Sequence, residues 1–415
     1  MSGQIRTDFP ESHSLDLSDR LSGLRVALVH DWLTGRRGGE KCLEFLCEAF
    51  PDARLFTLLH RSGSVGPVIE RLKIQTSPLQ RVPGIEHRYR SLLPLMPLAA
   101  RSWKVQDVDL VVSFSHCVAK AVRLPEGVPH VCYCFTPMRY AWEGRKAYLD
   151  SWSHKPIRRT LAGWALDRLQ DWDRGTADRV THFIAISQTV QRRIQASYGR
   201  ESQVLQPPVD TAFYSPAPVD RESFYLVVSA LVPYKRIDHA IQACQAAGKR
   251  LIIIGEGPDR ARLESLAGAE TQFLGWQSDH TIRDHFRRCR ALLFPGVEDF
   301  GIVPMEALAC GAPVIALDDG GVAETVDHSV GWLYQEPTPQ GLRHAIEAWE
   351  SEGAPHDPVL GRNKAELFSG SRFRTRLLTS LADIVDEHKE SKRPVSAIAP
   401  GPHRHPHASR TRAKR

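Results

Sequence analysis

Short apolar runs alternate with helix-periodic segments, stop at residue 206 and begin again after residue 210. No other feature limits the fold of this chain so tightly. Residues 24–30 read as a buried strand, and Gly38-Gly39 then opens a segment whose Cys42, Leu43, Phe45, Leu46, Ala49 and Phe50 recur at helical spacing. Further strands are read at 109–114, 130–134 and 181–186, with Ser187 as cap of the next helix. Gln206-Pro207-Pro208-Val209-Asp210 breaks the pattern, because proline restricts its own backbone and that of the preceding residue. Strands then follow at 225–229, 250–254, 272–274, 291–294 and 314–316, with helices near 236–247, 258–267, 279–289 and 302–311. Right-handed crossovers between parallel strands turn each half into a doubly wound α/β domain, so two such domains are expected to face a central cleft. A length of 415 residues suits two cores better than one.

The domain boundary is placed at the proline pair, giving a first domain at 23–208 and a second at 209–365. Residues 366–390 carry an amphipathic helix with Leu377, Leu378, Leu381, Ile384 and Val385 on its apolar side. Residues 1–22 and 391–415 are expected to be disordered. The second of these holds Arg404, Arg410, Arg412, Lys414 and Arg415, much of the net charge of +6, so a nucleic-acid role has no further support. No apolar run approaches the ~20 residues that span a bilayer. The amino-terminal residues lack the apolar stretch of a secretory signal, and a cytoplasmic location is expected. The 8 cysteines show no zinc spacing and read as reduced packing residues.

Residues 295–313 hold the sharpest functional signal. A strand runs into a loop of Pro, Gly, Glu and Asp, a short helix starts near Ile302, and another strand follows. Ligands of open α/β sheets bind at the carboxyl ends of strands. A helix N-terminus there offers unpaired N–H groups and partial positive charge to phosphate or sugar oxygens. Gly301 permits close backbone approach. Glu298 in the loop and Glu306 about a turn into the helix can hold two hydroxyl-bearing parts of one ligand. The pattern resembles the Glu-x7-Glu motif of retaining glycosyltransferases of family 4, which have the GT-B fold. The likeness runs from about Leu24 to about Glu387. It implies GT-B architecture, two Rossmann-like domains across a cleft, with the last helix crossing back onto the first domain.

Other segments extend the resemblance. Gly38-Gly39-Glu40 is similar to the family's Gly-Gly-x-Glu beside the donor diphosphate, with Arg37 in place of its first glycine. His116 ends a strand where the family has a histidine lining the cleft near the transferred sugar. Thr136-Pro-Met-Arg139-Tyr140-Ala-Trp142 resembles an acceptor-side segment of a mannosyltransferase-like subset, with Phe135 where histidine is frequent. Tyr140 and Trp142 suit stacking on sugar faces, and Arg139 suits a phosphate. Lys235 falls on the lysine of Gly-Arg-Leu-x-x-x-Lys-Gly, which neutralises the donor diphosphate; Ala230 replaces its arginine, and Arg236 offers a second charge. Gly255-Glu-Gly-Pro258 lies where family members place the nucleotide base, and it lacks the further glycine of an NAD fingerprint.

The resemblance implies a retaining hexosyltransferase, with mannose from GDP-mannose as donor and a glycan or lipid-linked glycan as acceptor, in polysaccharide or glycolipid biosynthesis. Lys235 and Arg236 would hold the diphosphate, and Glu306 the ribose. Glu298, with the backbone at Phe300, Gly301 and Ile302, would hold the sugar. Competing readings are a glucosyl- or N-acetylhexosaminyltransferase using a UDP-sugar, and a non-catalytic sugar-binding or membrane scaffold. No cofactor or metal is expected: Asp107-Val-Asp109 leads into a strand, and Asp171-Trp-Asp173 sits in a helix-like stretch. Residues 81–104 set Arg81, Arg88, Arg90, Arg101 and Lys104 around Leu92, Leu93, Leu95, Met96, Leu98 and Trp103, and 155–172 add Arg158, Arg159 and Trp164. Such segments suit an anionic membrane, and peripheral contact at the inner face of the plasma membrane is expected.

Overall fold

The computed structural model describes residues 17, 19–150 and 156–392. Seven parallel strands form the first sheet in the order β3-β2-β1-β4-β5-β6-β7. These are β1 Val26–His30, β2 Arg54–Thr57, β3 Lys73–Thr76, β4 Leu110–Ser115, β5 His130–Cys134, β6 His182–Ala185 and β7 Ser202–Val204. The second sheet has six, in the order β10-β9-β8-β11-β12-β13. They are β8 Tyr225–Val228, β9 Leu251–Ile254, β10 Thr271–Gly275, β11 Ala291–Phe294, β12 Val314–Leu317 and β13 Gly331–Tyr334.

Every residue of β1 is buried. Val26 and Leu28 face the cluster that holds Leu43 and Leu46, while Ala27 and Val29 face the opposite cluster with Met96 and Trp103. The strand alternates at period two between two covered faces, as expected of a parallel sheet. In each sheet the strand order reverses once, between β1 and β4 and between β8 and β11. Ligand crevices in such sheets open at these reversals, beyond the strands' carboxyl ends.

The Gly370–Ser391 helix covers the first lobe. Its Phe373 packs against Phe45 and Tyr133 with ring centroids 5.2 and 5.8 Å apart. Ser380 donates to Gln203 at 3.1 Å, and His388 meets the Gly127 carbonyl at 2.8 Å. Disorder through residue 22 is corrected at its end: Leu17 and Leu21 are buried, and Arg20 pairs with Asp383 and Asp386 at 2.7 and 2.8 Å on that helix. Buried leucines and an ion pair tie this short stretch to the core. Ser391 closes the last helix, so the disorder expected of the tail is corrected there, and residues 393–415 lie outside the described ones. All 8 cysteines are free and buried.

Candidate active site

The two reversals meet. In the first lobe, β1 ends at His30 and Asp31, β4 at Ser115 and His116, and the Gly38–Ala49 helix begins between them. Glu40 accepts from the Arg37 backbone N–H at 3.0 Å, closing the helix start. Glu40 is buried, and burial raises its pKa. A Cβ on Gly38 would sit 2.8 Å from Ile302 of the other lobe, and one on Gly39 would sit 3.3 Å from the Phe135 ring. A side chain at either position would have to displace Ile302 or the Phe135 ring.

The second lobe contributes the start of the Ile302–Ala309 helix, with Gly301 at φ +92° before it. Lys235 pairs with Glu298. Glu306 is 7% exposed and lies 3.7 Å from Lys41 of the first lobe. Burial lifts the Glu306 pKa to about 7 against the opposing charge of Lys41. Arg236, at φ +51°, turns to Asp238 at 3.4 Å and to His239. Gly255 belongs to the turn packed on the β8 loop, where an added Cβ would meet the Ser229 carbonyl oxygen at 1.9 Å. Phe300 is buried against Phe368.

The residues expected on the acceptor side all have partners within the protein. Trp142 is half-buried. Its Nε1–H donates to Asp173 at 2.8 Å, with Tyr198 edge-on and Arg174 across its ring. Asp173 is fully buried and also takes Lys120 Nζ at 2.7 Å and Tyr198 OH at 2.7 Å. An indole N–H inside a core needs an acceptor, and this carboxylate supplies it. Tyr140 packs half-buried on the first-lobe cluster. Arg139 pairs with Asp299 at 2.6 Å and lies over the Tyr234 ring, so it already bridges the lobes.

Several residues at this junction carry no local sequence signal. Asp299 also binds Arg193, and its carbonyl accepts from Ser187 Oγ at 2.5 Å. Glu324 of the second lobe accepts from the Gln188 and Thr189 N–H groups at 2.8 and 2.7 Å, at the start of the first-lobe helix Gln188–Tyr198. Gly320 and Gly321 brace the 298–300 backbone: the Gly321 N–H donates to the Glu298 carbonyl at 2.8 Å, and an added Cβ there would lie 2.3 Å from Phe300 Cα. His30 is 1% exposed, and its Nε2 has no partner.

Away from the cleft, a cavity of about 1150 Å³ lies at the amino ends of the first sheet beside Leu21, Arg54 and Arg374, and no expected site residue lines it. Within the basic segments, Trp103 is a core residue donating to the Thr57 carbonyl at 3.2 Å, and Leu93 and Met96 are buried. Leu95, Leu98, Ile157, Leu161 and Trp164 are exposed. Lys155 and the Arg90 and Arg158 side chains lie outside what the structure describes. No helix among the described residues is long and apolar enough to cross a membrane. Asp109 is taken by Arg25 at 2.8 Å, and no group of three or more metal-ligating side chains occurs among the described residues.

Residues 36–213 match the family model described as Glycosyltransferase Family 4, and residues 210–366 match Glycosyl transferases group 1. A GDP-mannose-dependent alpha-(1-6)-phosphatidylinositol dimannoside mannosyltransferase of Mycobacterium tuberculosis is 32% identical over 151 residues, 35% of this chain and 39% of that protein. The corresponding monomannoside mannosyltransferase is 30% identical over 209 residues, 43% of this chain and 51% of that one. The chain thus spans about half the length, or less, of these curated relatives. The crystal structure of Anabaena HepE in complex with UDP superposes with a TM-score of 0.62 at 17% identity, covering 87% of this chain and 100% of that one.

Proposed function

Because this chain belongs to the group 1 glycosyltransferases of family 4, with GT-B architecture, we propose that it is a retaining hexosyltransferase that moves mannose from GDP-mannose to a hydroxyl of a glycan or lipid-linked glycan. The observation that carries this reading is the meeting of two helix N-termini, Gly38 against Ile302, with Lys41, Lys235, Glu298 and Glu306 around the contact. Helix N-termini and lysines suit a diphosphate, and the carboxylates suit hydroxyls. Both curated relatives described above are named GDP-mannose-dependent, which supports this donor over a UDP-sugar.

Lys235 leaves Glu298 for the diphosphate, and Glu298, once free, receives the sugar hydroxyls beside the Gly301 N-terminus. Glu306 accepts from the ribose. Arg139 steadies the 298–301 loop through Asp299. The bond from the anomeric carbon to the phosphate oxygen breaks, with its electron pair going to that oxygen. The acceptor oxygen bonds the same face of the carbon, and its proton passes to the leaving phosphate. Preorganised positive charge at the phosphate lowers this barrier, and no metal step is invoked.

Thermal-shift and hydrolysis assays with GDP-mannose, UDP-glucose and UDP-N-acetylglucosamine in EDTA test the reading. GDP-mannose should raise the melting temperature most and be cleaved without added metal. Stabilisation by none of the three would overturn it. Exposed Leu95, Leu98, Ile157, Leu161 and Trp164, near Arg81, Arg101, Lys104 and Arg159 in sequence, support membrane contact for a lipid-linked acceptor. Cosedimentation with anionic vesicles at low salt should show it, and failure to sediment would remove it.

A further inference from the structure

We infer that Glu324 and Asp299 form a clasp that holds the two lobes together through protein groups alone, and that Glu324 is a positioning residue for the loop at 298–301. What the loop receives rests on the transferase reading; the clasp rests on geometry alone.

The clasp and the loop are one piece of the second lobe. The short helical turn Gly320–Glu324 lies directly on residues 298–300. Its Gly321 N–H donates to the Glu298 carbonyl, and a Cβ on Gly320 would stand 2.5 Å from that same oxygen. Packing this close leaves the turn and the loop no room to move separately. Phe300 packs against Phe368, with ring centroids 5.5 Å apart, where the chain crosses back toward the first lobe. The two crossings pair with each other there, Val209 N–H to the Phe368 carbonyl at 2.8 Å, which makes a narrow hinge.

This piece grips the start of the first-lobe helix Gln188–Tyr198. The helix cap, Ser187, is fully buried; its hydroxyl accepts from the Val190 N–H at 3.1 Å and donates to the Asp299 carbonyl. The first two N–H groups of a helix have no partner within it. Glu324 takes both, Oε2 from Gln188 at 2.8 Å and Oε1 from Thr189 at 2.7 Å. Oε1 also accepts from the Thr189 hydroxyl at 2.8 Å. A carboxylate suits a helix N-terminus by charge as well as by hydrogen bonding. One turn on, Arg193 pairs with Asp299 Oδ1, while Arg139 holds Oδ2. Opening the lobes would strip two helix donors, a buried hydroxyl and two arginines of these partners at once. The clasp therefore favours closure ahead of donor binding, and the donor is spared most of its cost.

Double electron–electron resonance between spin labels at Glu126→Cys and Glu270→Cys measures the lobe separation in the full chain. Both positions are exposed, just before β5 and β10 and away from the cleft, and the 8 native cysteines are buried. Without ligand, the doubly labelled parent should give one narrow distance, and Glu324→Ala a broadened or displaced one. Saturating GDP-mannose should return Glu324→Ala to the narrow distance, at a dissociation constant about 10- to 100-fold above the parent's. Gln188→Pro separates the clasp from folding. Ser187 is already extended (φ −161°, ψ 166°), and proline is favoured at the first helical position, so the change deletes one clasped N–H and keeps the helix. It should broaden the distance in the parent and change nothing further beside Glu324→Ala. Losses that simply add, a broad distance in the parent, or an unchanged one in Glu324→Ala would overturn the clasp. If no nucleotide sugar binds, the transferase reading fails, and the ligand-free distances still decide the clasp.

Discussion

Replacing Glu306 by Gln should abolish a pH dependence of donor binding that wild type displays. The Glu306 carboxyl is buried beside the lobe contact and titrates at about 7 rather than 4.5. If the ribose hydroxyls donate to its ionised form, affinity follows the ionised fraction, which is roughly nine-tenths at pH 8 and one-tenth at pH 6. Binding should therefore weaken about tenfold, or ~1.4 kcal/mol, between these values. Isothermal titration with intact GDP-mannose is the assay, since the sugar ester lacks the terminal phosphate that would itself titrate near 6. His30, pushed down to about 4 by burial, stays neutral throughout. The Gln variant should bind with little slope over this range. Wild-type affinity that is flat from pH 6 to 8, or an equal slope in the variant, would refute the argument. The same shift has a sign for stability. Between pH 4.5 and about 7 the folded carboxyl holds more proton than the unfolded one, so the ligand-free protein loses stability as pH rises through that window and levels off above it.

Lys235→Ala should cut turnover about 10²- to 10³-fold, since it removes the diphosphate's cation and leaves Glu298 unpaired; unchanged single-turnover rates would exclude its role. Lys120→Met should cost about 3–5 kcal/mol in urea unfolding, because Asp173 would remain buried without its cation, and Lys120→Met with Asp173→Leu should recover part of the loss. A Lys120→Met cost below about 1 kcal/mol would contradict this. Gly321→Ala should lower stability by about 1–3 kcal/mol and weaken donor binding, as its methyl would strike the Phe300 backbone; wild-type behaviour would show that the 298–300 loop can shift freely.

The central strands were legible because both of their faces are covered, so β1, β4, β5, β9 and β11 read as continuous apolar runs. The expected strand list omits β2, β3, β7 and β13. Lys73–Thr76 and Ser202–Val204 are polar segments at sheet edges, where one side of the ladder faces no neighbour and hydrophobic patterning fades. At the lobe junction, Gly38, Gly39, Glu298, Gly301 and Glu306 sit in short local motifs that the sequence displays, and the fold brings them together. Asp31 and Glu324 were not legible, because their partners lie 85 and 135 positions away or more, and a lone acid beside an apolar run has no distinctive spacing. The bond from the Trp142 N–H to Asp173 was not legible, because residue type alone does not show that an indole N–H is spent on a buried carboxylate 31 positions away.

The helix that ends the described chain belongs, by its contacts, to the lobe that starts it. The second lobe is in effect an insertion between two parts of the first. During synthesis the first sheet must wait, with its Phe45 and Tyr133 face uncovered, until Phe373 leaves the ribosome, whereas the second sheet can close earlier. A cut at the proline pair would therefore yield no complete first lobe. A circular permutant that joins the Gly370–Ser391 helix ahead of β1 would be the way to isolate one.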